Sequence, residues 1–156
     1  MMNPGKNTFS SSSLPSRDFS NPGNQLKPNA MGNLILIIDD EPDICQLLQL
    51  SLSKHGYKVK YVHGLKEGLQ FLARQQPDVL FLDIHLPDGS GLDALPGIKA
   101  KYPNLPVITI SAYDNGMEKQ RALTAGAARF LPKPFNVGEL QEILYEVKSE
   151  HDYPSA

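Results

Sequence analysis

From Leu34 onward the chain repeats one unit five times, a short β-type apolar run followed by a helical pattern. That alternation leaves few folds open. Leu34-Ile35-Leu36-Ile37-Ile38 is apolar throughout, as expected of a strand buried on both faces. Pro42 opens a helix with Asp43 in its first turn, and Ile44, Leu47, Leu48 and Leu52 follow at helical spacing. Gly56 stands at its C-terminal cap. Tyr57 to Val62 alternates apolar and polar, which makes a strand with one wet face. Leu65, Leu69 and Leu72 mark a second helix, ended before Pro77. Val79-Leu80-Phe81-Leu82 is again wholly apolar. A Pro- and Gly-containing loop, 87–91, precedes a helical pattern reaching Tyr102, inside which Pro96-Gly97 should kink or interrupt the helix. Val107 to Ile110 is a fourth strand, Met117 to Ala125 a short helix stopped by Gly126, and Ala128 to Leu131 a short fifth strand. Asn136 with Glu139 three residues on is a capping-box start for the last helix, through Leu140, Ile143, Leu144 and Val147.

Each β–α–β step is long enough for a right-handed crossover, so the expected fold class is α/β, a (βα)5 parallel sheet with helices on both faces. The first, third and fourth strands are apolar enough for the middle of the sheet, and the second and fifth belong at its edges. The doubly wound strand order 2-1-3-4-5 satisfies this, and its topological switch point lies between the first and third strands. Residues 1–32 are different material. They hold Ser10 to Ser13, four prolines and few apolar residues, so they read as a flexible low-complexity leader ahead of a domain at 33–150 and a tail at 151–156. The leader carries a net +2 and the remainder a net −4, which gives no footprint for nucleic acid or anionic lipid. No apolar run approaches the ~18 residues of a membrane span. The lone Cys45 excludes an internal disulfide framework and a Cys-based zinc site, and fits a reducing compartment.

Function is read from the carboxyl ends of the strands, because ligands bind beside the switch point there. The first strand ends in Asp39-Asp40, with Glu41 next, the third in Asp83, the fourth in Ser111, and the fifth is followed by Lys133-Pro134. Singly, each is an ordinary capping, turn or surface residue. Jointly, the topology brings them to one edge. Three converging carboxylates resist ionising together unless a cation offsets the repulsion. Oxygen-only ligation suits Mg²⁺, which would keep positions open for phosphoryl oxygens. A metal, an ammonium and a hydroxyl aimed at one carboxylate suit phosphoryl transfer, with that carboxylate as nucleophile.

Leu36 to Glu41, Asp83 to Gly91, Ser111-Ala112-Tyr113 and Phe130 to Phe135 together resemble the receiver domain of two-component response regulators. The resemblance covers about residues 33–150. It implies a flavodoxin-like fold and a phosphoryl group accepted by Asp83 from a histidine kinase or phosphotransfer protein. It implies Mg²⁺ held by Asp39, Asp40, Asp83 and the backbone carbonyl of His85. Lys133, before a cis peptide to Pro134, and Ser111 would bind the phosphoryl group. Ser111 and Phe130 would be the switch pair, Phe130 turning inward on activation and altering the surface of the fourth helix, fifth strand and fifth helix. His85 and Tyr113, each two residues from a site residue, would tune the lifetime of the acyl phosphate. Such a domain is not an enzyme beyond catalysing its own phosphorylation and dephosphorylation, and it works in the cytoplasm on a partner protein rather than on nucleic acid or membrane.

A single-domain receiver is the first expectation, and the amino-terminal receiver of a longer, for example transcriptional, regulator the alternative. A Mg²⁺-dependent phosphohydrolase with an Asp nucleophile resembles the site too, but pairs its acids as Asp-x-Asp, where this chain has Asp83-Ile84-His85. A flavin module fits the topology, yet the turn after the first strand is acidic where a flavin phosphate needs neutral donors. Cys45 is read as a packing residue, and His55, His63 and His151 are given no role.

Overall fold

The computed structural model describes residues 33–112 and 116–152. The leader 1–32, Tyr113 and the last four residues of the tail lie outside them. The elements are β1 (Leu34–Ile38), α1 (Pro42–Ser53), β2 (Lys58–Val62), α2 (Leu65–Arg74), β3 (Val79–Asp83), β4 (His85–Leu86), β5 (Gly89–Ser90), α3 (Gly91–Lys101), β6 (Val107–Ser111), α4 (Met117–Thr124), β7 (Arg129–Pro132) and α5 (Val137–Asp152). The main sheet runs β2-β1-β3-β6-β7, parallel throughout. This is the expected 2-1-3-4-5 order. Burial follows the apolar patterns that predict it. β1, β3 and β6 are buried along their whole length, whereas β2 alternates and β7 is buried only at Phe130 and Leu131.

Side chains alternate across a strand, so the sheet sorts its apolar residues into two layers. Ile35, Ile37, Phe81, Ile108 and Ile110 face one way, onto Cys45, Leu48 and Leu52 of α1 and Leu140, Leu144 and Val147 of α5. Leu36, Ile38, Leu80, Leu82 and Phe130 face the other, onto Leu72 of α2, Leu92, Leu95 and Ile98 of α3 and Ala122 of α4. Burying each such Leu, Ile or Phe stabilises the fold by about 1.5–3 kcal/mol. α4 contributes least. Ala122 is its one buried residue, and Met117 and Leu123 are exposed.

Helix ends follow the sequence signals. Pro42 occupies the first turn of α1. Gly56 takes the left-handed conformation (φ 89°) after it and donates to the Ser53 carbonyl. At α5 the Asn136 amide donates to Glu139 Oε1 (2.9 Å) and the Glu139 amide to Asn136 Oδ1 (2.8 Å), a reciprocal capping box. α3 is not interrupted at Pro96 but runs through it, and Pro96 and Gly97 are both exposed. The loop after β3 also folds into an antiparallel β4–β5 ribbon, His85 opposite Ser90. Its tip carries Asp88, whose two oxygens accept from the Leu65 (2.7 Å) and Lys66 (2.9 Å) amides. Asp88 thus caps α2, where Gly64 at the cap position has no side chain to offer.

Candidate functional site

The sheet delivers four acidic or basic side chains to one edge. Asp39 follows β1 and is fully buried, and Asp83 closes β3 at 3% exposure. With the exposed Asp40 they bring carboxylate oxygens within 4.8 Å of one another. Lys133, in the turn after β7, reaches in from the opposite side. Its Nζ lies 3.0 Å from Asp39 Oδ2, 3.3 Å from Asp83 Oδ2 and 2.6 Å from Glu41 Oε1. The peptide from Lys133 to Pro134 is cis. The Lys133 amide donates to the Ser111 carbonyl, which fixes this turn against the end of β6.

Backbone donors hold the two buried acids. The Glu41 amide donates to Asp39 Oδ1 (2.8 Å) and the His85 amide to Asp83 Oδ1 (3.0 Å). The Asp39 carbonyl accepts from Cys45 Sγ (3.3 Å) and from His63 Nδ1 (2.9 Å), which places the His63 proton on Nδ1. Two side chains given no functional role in the sequence therefore pin the end of β1. Burial, and then the Asp39 charge, raise the Cys45 thiol to about 12, so it is a packing group rather than a nucleophile. Gly91, the first residue of α3, lies directly against the Asp83 backbone. A Cβ there would overlap the Asp83 carbonyl oxygen. Only glycine lets α3 begin this close to the acid.

The electrostatics follow from burial. Desolvation, and then the Asp39 charge, push Asp83 up to about 6, against the His85 amide and Lys133, which pull it down. Desolvation likewise raises Asp39, opposed by the Glu41 amide and by Lys133. Lys133 is itself desolvated, but its contacts with Glu41, Asp39 and Asp83 outweigh that and hold it firmly charged. One ammonium thus partly compensates a pocket with excess negative charge. Asp39 Oδ2 is buried and faces the Lys133 ammonium at 3.0 Å, without an aligned hydrogen bond among the described residues. That ammonium is shared with Glu41 and Asp83, so part of the buried charge stays uncompensated. Two oxygens bound to one Mg²⁺ lie at most ~4.2 Å apart, so the Asp39, Asp40 and Asp83 oxygens need only small adjustments to share one ion. The donor set fits a hard divalent cation.

The remaining expected residues are placed as follows. Ser111 ends β6, buried, and its hydroxyl donates to Glu118 Oε1 of α4 (2.5 Å). The half-exposed His85 ring puts Nε2 2.7 Å from Glu118 Oε2. Phe130 is 7% exposed and packed in the layer with Ala122 and Ala127. Sequence reasoning missed Glu41 as a partner of Lys133, and Glu118. Glu41 had a signal, being the third acid of the Asp39-Asp40-Glu41 run. Glu118 had none, since nothing in its spacing of seven residues from Ser111 marks it as a partner.

Residues 35–145 match the family model described as the response regulator receiver domain. The chain is 41% identical over 109 residues to the response regulator protein PilR of Pseudomonas aeruginosa, covering 70% of this chain and 24% of that protein. It is 41% identical over 106 residues to the transcriptional regulatory protein KdpE of Mycobacterium tuberculosis, covering 68% of this chain and 46% of the other. The chain thus spans from about a quarter to about half of these relatives' lengths. Among solved structures it is similar to a CheY-like receiver domain protein from Methanospirillum hungatei, with TM-score 0.74 and 28% identity over 79% of this chain and 98% of that one.

Proposed function

This chain belongs to the response regulator receiver domain family, and from that membership together with the pocket's chemistry we propose that Asp83 is its phosphoacceptor. The single observation that carries this is the buried Asp83 carboxylate, raised toward neutrality, with Lys133 Nζ 3.3 Å away and two further acids beside it. A carboxylate with a raised pKa is a better nucleophile than an ordinary Asp and is still mostly ionised at neutral pH. An Asp83 oxygen attacks phosphorus, the O–P bond forms, and the bond to the donor breaks with its electron pair leaving on the donor. From a phosphohistidine, the pair stays on the imidazole nitrogen. The donor is a histidine kinase, a phosphotransfer protein or a small acyl phosphate.

Asp39, Asp40, Asp83 and the His85 carbonyl would hold Mg²⁺, which supplies charge neutralisation for the transferring phosphoryl oxygens. Lys133 pairs with the phosphoryl group once it arrives. Ser111 donates to one of its oxygens. Phosphorylation adds about −1.5 to −2 charges to an already acidic pocket. The response of Ser111 and Phe130 is read on the face made by α4, β7 and α5, where a partner protein docks, and the chain acts in the cytoplasm. His85, at the mouth of the site, tunes the lifetime of the acyl phosphate. The relatives' greater length supports a second reading of the whole protein, in which residues 33–150 are the amino-terminal receiver of a longer transcriptional regulator.

The test is incubation with acetyl phosphate and Mg²⁺ followed by intact mass measurement. Wild type should gain one phosphoryl group and Asp83→Asn none. Equal labelling of both would remove Asp83 from this role, and many turnovers of phosphate release would favour a hydrolase.

A further inference from the structure

The Ser111 hydroxyl has one proton to give, and in this structure it gives it to Glu118 Oε1. The same carboxylate reaches His85 with its other oxygen, Oε2 to Nε2 at 2.7 Å. Glu118 therefore ties the end of β6 to the start of β4, two segments that flank the phosphoacceptor. A carboxylate and a phosphoryl group are both acceptors, and they compete for a single hydroxyl hydrogen. We propose that Glu118 is an internal stand-in for the phosphoryl group, a positioning residue that holds Ser111 in the unphosphorylated state and must let go before Ser111 can bond the modified Asp83.

The position of Glu118 gives the exchange a structural consequence. It lies in the first turn of α4, just after Gly116 (φ 82°). Ala122 is the one buried residue of α4. Its Glu118 side chain is mostly buried, at 16% exposure. Release of Ser111 thus loosens the start of the most weakly packed helix and passes the chemistry at Asp83 to an exposed surface. The phosphoryl group competes against an occupied partner, so the resting state resists activation until it is modified. This rests on the reading that Asp83 is phosphorylated.

Beryllofluoride with Mg²⁺, a stable mimic of the acyl phosphate, supplies the test. Its affinity is measured by ¹⁹F NMR titration of wild type, Glu118→Ala, Ser111→Ala and the double variant. A hydrogen bond to a charged group is strong enough that Glu118→Ala should bind the mimic tighter on the order of tenfold. In the Ser111→Ala background the same substitution should give little or no gain, because no hydroxyl remains to be freed. Glu118→Gln keeps the shape and a weaker acceptor, and should gain less than Glu118→Ala, which covers the case in which alanine loosens α4 itself. Unchanged or weaker binding in both Glu118 variants would overturn the proposal, as would an equal gain with and without Ser111. A wild type that takes up no beryllofluoride would overturn the phosphoacceptor reading, and this inference with it. Uptake by wild type with no gain in the variants would overturn this inference alone.

Discussion

Replacing Asp83 with Asn should stabilise the metal-free domain, and the gain should grow with pH. The folded Asp83 has its pKa raised from 3.8 to about 6, chiefly by burial. Between those values the folded protein keeps a proton that the unfolded chain has given up. Folding then takes up a proton, so stability falls as pH rises through that window. A shift of this size corresponds to about 3 kcal/mol of destabilisation, fully present near pH 7.5 and down to about 1 kcal/mol near pH 4.5. Asn has no such penalty, and its amide oxygen can still accept from the His85 amide. Lys133 keeps Asp39 and Glu41 as partners. Asp39 is also relieved, because the neighbouring charge disappears. In a metal-chelated buffer the variant should melt roughly 10 °C higher than wild type near pH 7.5 and only a few degrees higher near pH 4.5. Urea midpoints at the two pH values give the same comparison. Added Mg²⁺ should shrink the difference at the higher pH by stabilising wild type through its intact acid set. An Asp83→Asn variant no more stable than wild type near pH 7.5, or a gain independent of pH, would refute the assignment of strain to this carboxylate.

Other expectations follow from the packing. Gly91→Ala should destabilise the domain by ~1–3 kcal/mol, since its methyl meets the Asp83 backbone carbonyl rather than a movable side chain; chemical denaturation measures it. Asn136→Ala removes one half of the α5 capping box and should cost about 1 kcal/mol, with loss of helicity by circular dichroism confined to the early unfolding of α5. Neither substitution touches the carboxylate oxygens.

The sheet was legible because each strand carries its burial in its composition. β1 is apolar throughout, β3 is apolar up to Asp83, β6 is apolar but for Thr109 and its terminal Ser111, and β2 alternates, so order and handedness follow with little left to choose. The acidic pocket was legible for a related reason: strand ends in a doubly wound sheet converge, whatever their distance along the chain. Three features were not legible because they depend on loops. The Asp88 cap of α2 needs the β4–β5 ribbon to project across to another helix. The Glu118 bridge needs α4 to start at one angle. The Lys133 contact with Glu41 depends on two turns that are 92 residues apart. Pro96 does not interrupt α3, because it lies on the exposed face, where its ring meets no packed neighbour layer.

The account depends most on a covalent bond forming at Asp83. Borohydride reduces an acyl phosphate and converts the modified aspartate to homoserine, which peptide mass mapping then locates. After treatment with acetyl phosphate, Mg²⁺ and borohydride, homoserine should appear at position 83 and at no other acid. Homoserine at Asp39 or Asp40, or an unmodified Asp83 in a protein that has gained a phosphoryl group, would contradict it.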